Sequence, residues 1–364
     1  MTWSRDGVPL YAVVMAGGTG TRFWPLSRRS RPKQLLPFAE GRSLLAATVD
    51  RLAPLVTPER TLVVTSEDVV EAVRAELPRL PAGNILAEPS GRNTAACVGW
   101  VAWRMARSKP DAVMVVLPAD HVIPDGPALH SALAGAAATA AARGGLVTLA
   151  LRPTRAETGF GYLELGEVVG AAAGRPVHVV KRFVEKPTRE LAEEFVGAGN
   201  YAWNSGMFAW TVEAIQGAIR EFLPELAGGL DELMAAADTL GEKEALRRHY
   251  PTLPKISVDF GVMEKATSVW AVGVDFAWSD VGSWAGLSEV LQSGTHGVTL
   301  GDVVTLDCAG SVLVSDGPLV AVVGVRDLVV VATRDAVLVV PKDQAQRVKE
   351  LVEKLHEAGR DDLL

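Results

Sequence analysis

The residues best suited to chemistry gather near the N-terminus. Val13-Val14-Met15-Ala16-Gly17-Gly18-Thr19-Gly20-Thr21-Arg22 runs from an apolar stretch into a loop with three glycines among four residues, and Arg31-Pro32-Lys33-Gln34 follows closely. Glycines let backbone N–H groups turn toward an anion with no side chain in the way. Arg22 and Lys33 add mobile positive charge, one as a fork and one as a point. Ala16, Gly17, Gly18, Thr19 and Gly20 therefore read as a polyphosphate cradle. The competing reading is a tight strand-to-helix turn without ligand. Two other phosphate loops are excluded. No Gly-x4-Gly-Lys-Ser/Thr string exists, and Gly18-Thr19-Gly20-Thr21-Arg22-Phe23 lacks the third glycine of the dinucleotide fingerprint, which argues against a nicotinamide oxidoreductase.

Further strings carry polar groups suited to a ligand. Glu88-Pro89-Ser90-Gly91-Arg92-Asn93-Thr94 is a polar loop opening a helix, where Asn93 or Thr94 can cap and Glu88 can accept from a base. Leu117-Pro118-Ala119-Asp120-His121 sets a carboxylate just past an apolar run, and Trp278-Ser279-Asp280-Val281-Gly282 offers a second. Magnesium favours one or two carboxylates plus phosphate oxygens and water, so Asp120 and Asp280 are a candidate pair. Gly159-Phe160-Gly161-Tyr162 admits a sugar ring close to the backbone. Glu185 suits two vicinal hydroxyls and Lys186 a sugar phosphate; the alternative is a solvated edge-strand pair. Asn204 supplies an amide beside a glycine. His121, Tyr201 and Trp203 read as structural, as does Lys255–Lys265.

These residues need a scaffold. Strand-like and helix-like runs alternate: Leu44–Leu52 helical, Thr61–Thr65 extended, Val69–Leu77 helical, Ala96–Ala106 helical and Val113–Leu117 a continuous apolar strand. That rhythm predicts an α/β domain with a mostly parallel sheet, with ligands beyond the carboxyl ends of its strands. After about Gly294, five short strands (Val303–Leu306, Ser311–Val314, Leu319–Val323, Leu328–Thr333 and Ala336–Val340) form a small β-unit. A closing helix from Pro341 to Glu357 carries Val348, Leu351, Val352 and Leu355 on one face. The expected domains are 1–294 and 295–364.

Composition narrows the class. The chain has 364 residues, 48% of them hydrophobic, enough for a large core, and a formal net charge of −7. That balance argues against nucleic-acid and anionic-membrane binding. Cys97 and Cys308 are too few for a disulfide framework and suit a reducing cytoplasm. Residues 1–9 do not resemble a signal peptide, and Ala128–Leu151 is a helix and strand, not a membrane span.

The glycine loop resembles the signature of the sugar-1-phosphate nucleotidylyltransferases. Phe23-Trp24-Pro25-Leu26-Ser27-Arg28 with Pro32-Lys33-Gln34-Leu35-Leu36 resembles most the bacterial mannose-1-phosphate guanylyltransferases, and the likeness covers nearly the whole chain with motifs in the same order. It implies a Rossmann-like domain and a left-handed β-helix-like tail used in homodimer contacts. It also implies GTP and mannose 1-phosphate as substrates, GDP-mannose and pyrophosphate as products, and Mg²⁺ on Asp120 and Asp280. Glu88, Pro89, Asn93 and Thr94 fall on the base loop. Arg22 and Lys33 fall on the β- and γ-phosphates, Lys186 on the sugar phosphate, and Gly161, Tyr162, Glu185 and Asn204 on the sugar. Two departures stand out: Ala95-Ala96-Cys97 lacks the proline usual after the base loop, and Ser257-Val258-Asp259-Phe260 lacks the usual tyrosine. Glucose 1-phosphate with dTTP or ATP is the nearest alternative, and a catalytically silent nucleotide-sugar sensor another. Some relatives carry an isomerase domain; a chain ending at Leu364 is expected to lack that activity.

Overall fold

A computed structural model describes residues 7–18, 20–39, 41–291 and 297–364. Thr19 and the expected boundary at 294/295 lie outside them. Contacts divide the chain into two units. The first comprises Met1–Gly17, Val49–Pro118 and Asp125–Phe276, and the second Gly18–Thr48, Ala119–Pro124 and Ala277–Leu364.

In the first unit the apolar runs become alternating elements: β1 (Leu10–Met15), α1 (Leu44–Leu52, which begins in the second unit), β2 (Thr61–Ser66), α2 (Val70–Glu76), β3 (Ile85–Glu88), α3 (Asn93–Ala106), β4 (Val113–Pro118), α4 (Gly126–Arg143) and β5 (Leu146–Leu151). There follow β6 (Gly161–Ala172), β7 (Arg175–Glu185), α5 (Arg189–Ala198), β8 (Tyr201–Thr211), α6 (Val212–Phe222), α7 (Pro224–Leu240), α8 (Glu242–His249) and β9 (Val269–Val274). The sheet order is β3-β2-β1-β4-β8-β5-β9-β7-β6. β1 pairs in parallel with β2 and β4, β2 with β3, and β5 with β9. Only β7 and β8 run against the other described strands, so the sheet is mixed and mostly parallel in direction.

Val113 to Val116 are fully buried, as a strand covered on both faces requires. One core joins Met114, Val116, Phe208 and Trp210 of the strands to Trp100, Ile215, Ile219 and Leu230 of α3, α6 and α7. Register places the candidate residues. Met15 stands opposite Pro118, so β1 and β4 end side by side, and Gly161 stands opposite Glu185 across the β6–β7 ladder.

The second unit holds α9 (Trp284–Val290), β10 (Gly297–Leu300), β11 (Val303–Leu306), β12 (Ser311–Asp316), β13 (Val320–Val323), β14 (Leu328–Thr333), β15 (Val337–Pro341) and α10 (Val348–Glu357). The five expected strands are present and β10 is an additional one. β10 pairs in parallel with β12, β12 with β14 and β11 with β13, a coiled succession that β15 closes by turning back on β14. The expected helix from Pro341 instead starts as a 3-10 run, Lys342–Arg347, before α10. Val348, Val352 and Leu355 pack into a core with Phe23, Trp24, Trp284, Val312 and Val329, while Leu351 is left 38% exposed. Most of the helix stripe thus packs, in part, within its own unit, including against the segment after the glycine loop. No helix among the described residues is long and apolar enough to cross a membrane.

Candidate active site

The second unit carries a charged cluster built on the glycine loop. Gly20 has φ 61°, and a Cβ there would fall 2.4 Å from Lys33 Cβ, so only glycine lets the loop lie on Lys33. The Ser27 hydroxyl donates to Gly20 O at 2.8 Å and holds that approach. Lys33 is not mobile, contrary to the sequence expectation. It is 6% exposed, and its ammonium donates to Asp120 Oδ2 at 2.8 Å and to the Asp280 backbone oxygen at 2.6 Å. Burial pushes the Asp120 carboxyl up, but Lys33 and His121 outweigh it and hold it below the usual carboxylate range. Asp120 nevertheless keeps 35% of its side chain exposed.

The segments that carry the two acids pair, and Lys33 links the Asp120 carboxylate to the Asp280 backbone. Val122 and Ser279 exchange backbone hydrogen bonds of 2.9 and 3.1 Å. Asp280 Oδ1 accepts from Gly282 N–H at 3.1 Å. His121 takes the structural part expected of it, buried and accepting from Trp278 Nε1 at 3.2 Å. Arg22 and Gly18 are exposed, and no described residue pairs with the Arg22 guanidinium.

In the first unit, Ala16 is pinned at the end of β1 by its N–H to Val64 O, 2.7 Å, and by the Thr65 hydroxyl, 3.1 Å. Gly17 is exposed, and a Cβ on it would lie 3.9 Å from Glu88 Oε2. Glu88 is buried and accepts from the Tyr250 hydroxyl; burial raises its carboxyl to about 7 against that hydrogen bond. Pro89 is half-buried beside it. Neither Asn93 nor Thr94 is the N-cap of α3. Arg92 occupies that position without a side-chain cap, Asn93 has φ 64° with its Oδ1 accepting from Thr94 N–H, and Thr94 Oγ1 accepts from Val258 N–H at 2.9 Å.

A second cluster in this unit surrounds Gly161. A Cβ there would lie 2.5 Å from Glu185 Oε2 and 3.3 Å from Asn204 Cβ, so the bare backbone leaves room for both side chains. The Glu185 side chain is 8% exposed and ion-pairs with Lys186 Nζ. Its backbone N–H donates to Glu264 Oε1 at 2.7 Å. Asn204 donates from Nδ2 to Asp259 Oδ1 at 3.0 Å. Tyr162 is fully buried, and its hydroxyl accepts from Glu157 N–H at 2.9 Å. Trp203 is packing, edge-on to Phe160, and Tyr201 stacks on Phe195.

Residues 11–296 match the family model described as nucleotidyl transferase. The chain belongs to the nucleotidyl transferase family. Residues 301–355 match a second model, the MannoseP isomerase/GMP-like beta-helix domain. The xanthan biosynthesis protein XanB of Xanthomonas campestris pv. campestris is 40% identical over 96% of this chain and 73% of its own length. Mannose-1-phosphate guanylyltransferase 2 of Escherichia coli O157:H7 is 39% identical over 95% of this chain and 73% of its own. The crystal structure of mannose-1-phosphate geranyltransferase from Thermus thermophilus matches with a TM-score of 0.86 and 43% identity, covering 96% of this chain and 100% of that one.

Within this nucleotidyl transferase, backbone strain gathers at the candidate motifs. Asn93, Lys186 and Val281 are three of the six described non-glycine residues with positive φ, and Val281, at 45°, is β-branched and fully buried. Sequence reasoning missed Tyr250, Asp259 and Glu264. The last two lie in Lys255–Lys265, which looked structural because Val258, Phe260, Val262 and Met263 surround the acids with apolar neighbours. A π-helical turn at Asp259–Met263 instead brings both to the Gly161 cluster. The acid pair in that segment was the available signal.

Proposed function

We propose that the chain transfers the guanylyl group of GTP to mannose 1-phosphate, giving GDP-mannose and pyrophosphate. The observation that carries this reading is the likeness, at 39% identity along 95–96% of the chain, to proteins named mannose-1-phosphate guanylyltransferase. A phosphate oxygen of mannose 1-phosphate attacks the α-phosphorus of GTP. The new P–O bond forms as the bond to the bridging oxygen breaks, and pyrophosphate departs in line. The nucleophile is already ionised at neutral pH, so no general base is required, and catalysis rests on positioning and charge neutralisation.

Each cluster has a part. Glu88 accepts from the N1–H and 2-amino groups of guanine, donors that adenine and pyrimidines do not present together. The free Arg22 fork takes the β- and γ-phosphates. Lys33 adds its charge beside them while keeping Asp120 ionised and tying it to the Asp280 backbone. Glu185 and Asn204 take the sugar hydroxyls over Gly161, and Lys186 takes the sugar phosphate. Tyr162 acts through its backbone, since its side chain is buried.

The donor set fits Mg²⁺. Asp120 and Asp280 offer hard carboxylate oxygens on paired segments. Among the described residues no group of three or more His, Cys, Asp or Glu side chains is placed to hold a metal alone, which leaves the other positions to phosphate oxygens and water. Bound there, Mg²⁺ would neutralise charge on the α-phosphate and sugar phosphate. The reading includes a cytoplasmic homodimer that binds neither nucleic acid nor membrane. The chain's low cysteine count, with Cys97 and Cys308 both buried, supports the compartment, and exposed Val304, Leu306 and Val323 on β11 and β13 support self-association.

Pyrophosphate release tests the assignment. Arg22→Ala and Asp280→Asn should each lower kcat by about a hundredfold or more with the melting curve retained. Near-wild-type turnover in either variant would remove that residue from the mechanism.

A further inference from the structure

We infer that Asp259 is a positioning residue that fixes which polar atom Asn204 shows the sugar, and so decides how the Gly161–Glu185 cluster reads a hydroxyl. The inference rests on the sugar-site reading above.

The argument is one of hydrogen-bond inventory. A primary amide has one acceptor oxygen and two N–H donors, and its faces can exchange by rotation. Among the described residues three groups lie within hydrogen-bond reach of the Asn204 amide. Gly206 N–H, a donor only, reaches Oδ1 at 3.3 Å. The Thr148 hydroxyl lies 2.8 Å from Oδ1 but also 3.1 Å from Met207 O, and a hydroxyl can donate or accept, so it accommodates either amide orientation. Asp259 Oδ1 takes Nδ2 at 3.0 Å, and an ionised carboxylate only accepts. The Gly206 contact is long, so Asp259 is the stronger of the two groups that distinguish oxygen from nitrogen.

The consequence lies in what remains. With Oδ1 occupied and one N–H given to Asp259, Asn204 has a single N–H left for a ligand. Beside it the Glu185 carboxylate can only accept. Donor next to acceptor matches a hydroxyl that accepts from Asn204 and donates to Glu185, or two neighbouring hydroxyls that divide those parts. A rotated amide would set two acceptors side by side, and a hydroxyl, with one proton, can satisfy only one. Asp259 is itself held by the turn it opens, whose Glu264 accepts from the Glu185 backbone N–H. One short segment therefore holds the Asn204 side chain and the Glu185 backbone. Burial and the nearby Glu185 charge raise the Asp259 carboxyl to about 6, which still leaves it mostly ionised at neutral pH.

Steady-state kinetics on the full chain separate the possibilities, using Asn204→Ala, Asp259→Ala, Asp259→Asn and the Asn204→Ala/Asp259→Ala double variant. Asp259→Ala should raise KM for mannose 1-phosphate about ten- to hundredfold, leave KM for GTP unchanged and erode the preference for mannose over glucose 1-phosphate. Asp259→Asn can offer Asn204 either its amide oxygen or its amide N–H, so it should fall between wild type and Asp259→Ala. The double variant should be no worse than Asn204→Ala. Should Asp259→Ala fail to fold by melting curve, Asp259→Ser, too short to keep the 3.0 Å contact, replaces it. If Asn204→Ala leaves the mannose 1-phosphate KM unchanged, the sugar-site reading itself falls. If Asn204→Ala is impaired but Asp259→Ala is not, the inference falls alone. If Asp259→Asn is as damaging as Asp259→Ala and the losses add in the double variant, the Asp259 charge meets the ligand directly and the positioning role is overturned.

Discussion

Gly161→Ala tests how tightly the sugar cluster is built. The added carbon would fall 2.5 Å from Glu185 Oε2, where ordinary contact begins at 3.4 Å, so the carboxylate must retreat by 0.9 Å. The methyl cannot swing elsewhere, because Phe183 Cζ at 3.2 Å and Asn204 Cβ at 3.3 Å bound it on other sides. The backbone at Gly161 lies in β6 without a positive φ, so alanine brings no dihedral strain. Losing the entropy of an unfolded glycine stabilises by about 0.4–1 kcal/mol, while crowding the site costs about 1–3 kcal/mol. The net stability change is therefore small, and the melting temperature should fall by only a few degrees. Function is another matter. A misplacement near 1 Å costs about a hundredfold, or roughly 2.7 kcal/mol of transition-state stabilisation. kcat/KM for mannose 1-phosphate should fall by about that factor with KM for GTP unchanged. Shortening the partner in Gly161→Ala/Glu185→Asp should recover part of the loss. A Gly161→Ala enzyme within a few-fold of wild type would refute the claim that Glu185 reads the sugar from this position.

Three further outcomes are expected. The Glu88 carboxyl sits at about 7 in the folded chain against 4.5 unperturbed, so the folded state holds its proton more tightly. Its contribution to stability is full below pH 4.5 and is lost as pH rises to about 7, by roughly 3 kcal/mol. Urea midpoints should show that decline in wild type and not in Glu88→Gln; equal slopes would contradict it. Tyr250→Phe removes the hydroxyl that supports the Glu88 charge, so KM for GTP near neutral pH should rise about tenfold, with an unchanged KM arguing against base reading by Glu88. Trp284 is fully buried, with ring centroids 5.0 Å from Phe23 and 5.8 Å from Phe38, and Trp284→Ala should cost about 3–5 kcal/mol by urea unfolding. A loss under about 1 kcal/mol would mean that this core does not hold the second unit together.

What the sequence made legible was local. Val113–Leu117 announced a buried strand because five successive apolar residues suit a strand covered on both faces. The C-terminal strands were visible in their spacing and turn residues, except β10, whose four residues Gly297–Leu300 carry too short a pattern. Long-range partners were not visible. Lys33 looked free because nothing near it in sequence is acidic; its acid arrives from residue 120 through the Val122–Ser279 pairing. Phe23, Phe38 and Trp284 have no periodicity naming one another, so the packing of Gly18–Thr48 with the C-terminal strands in one unit was hidden. Tyr250 met Glu88 across 162 residues for the same reason.

The most direct test of guanylyl transfer to mannose 1-phosphate is a one-pot competition. The full chain with Mg²⁺ receives equimolar GTP, ATP, dTTP and UTP together with mannose, glucose and fucose 1-phosphates, and mass spectrometry identifies every nucleotide sugar formed. The account predicts GDP-mannose as the dominant product with an equal amount of pyrophosphate. A dominant product with another base or another sugar, or no product from folded protein, would contradict it.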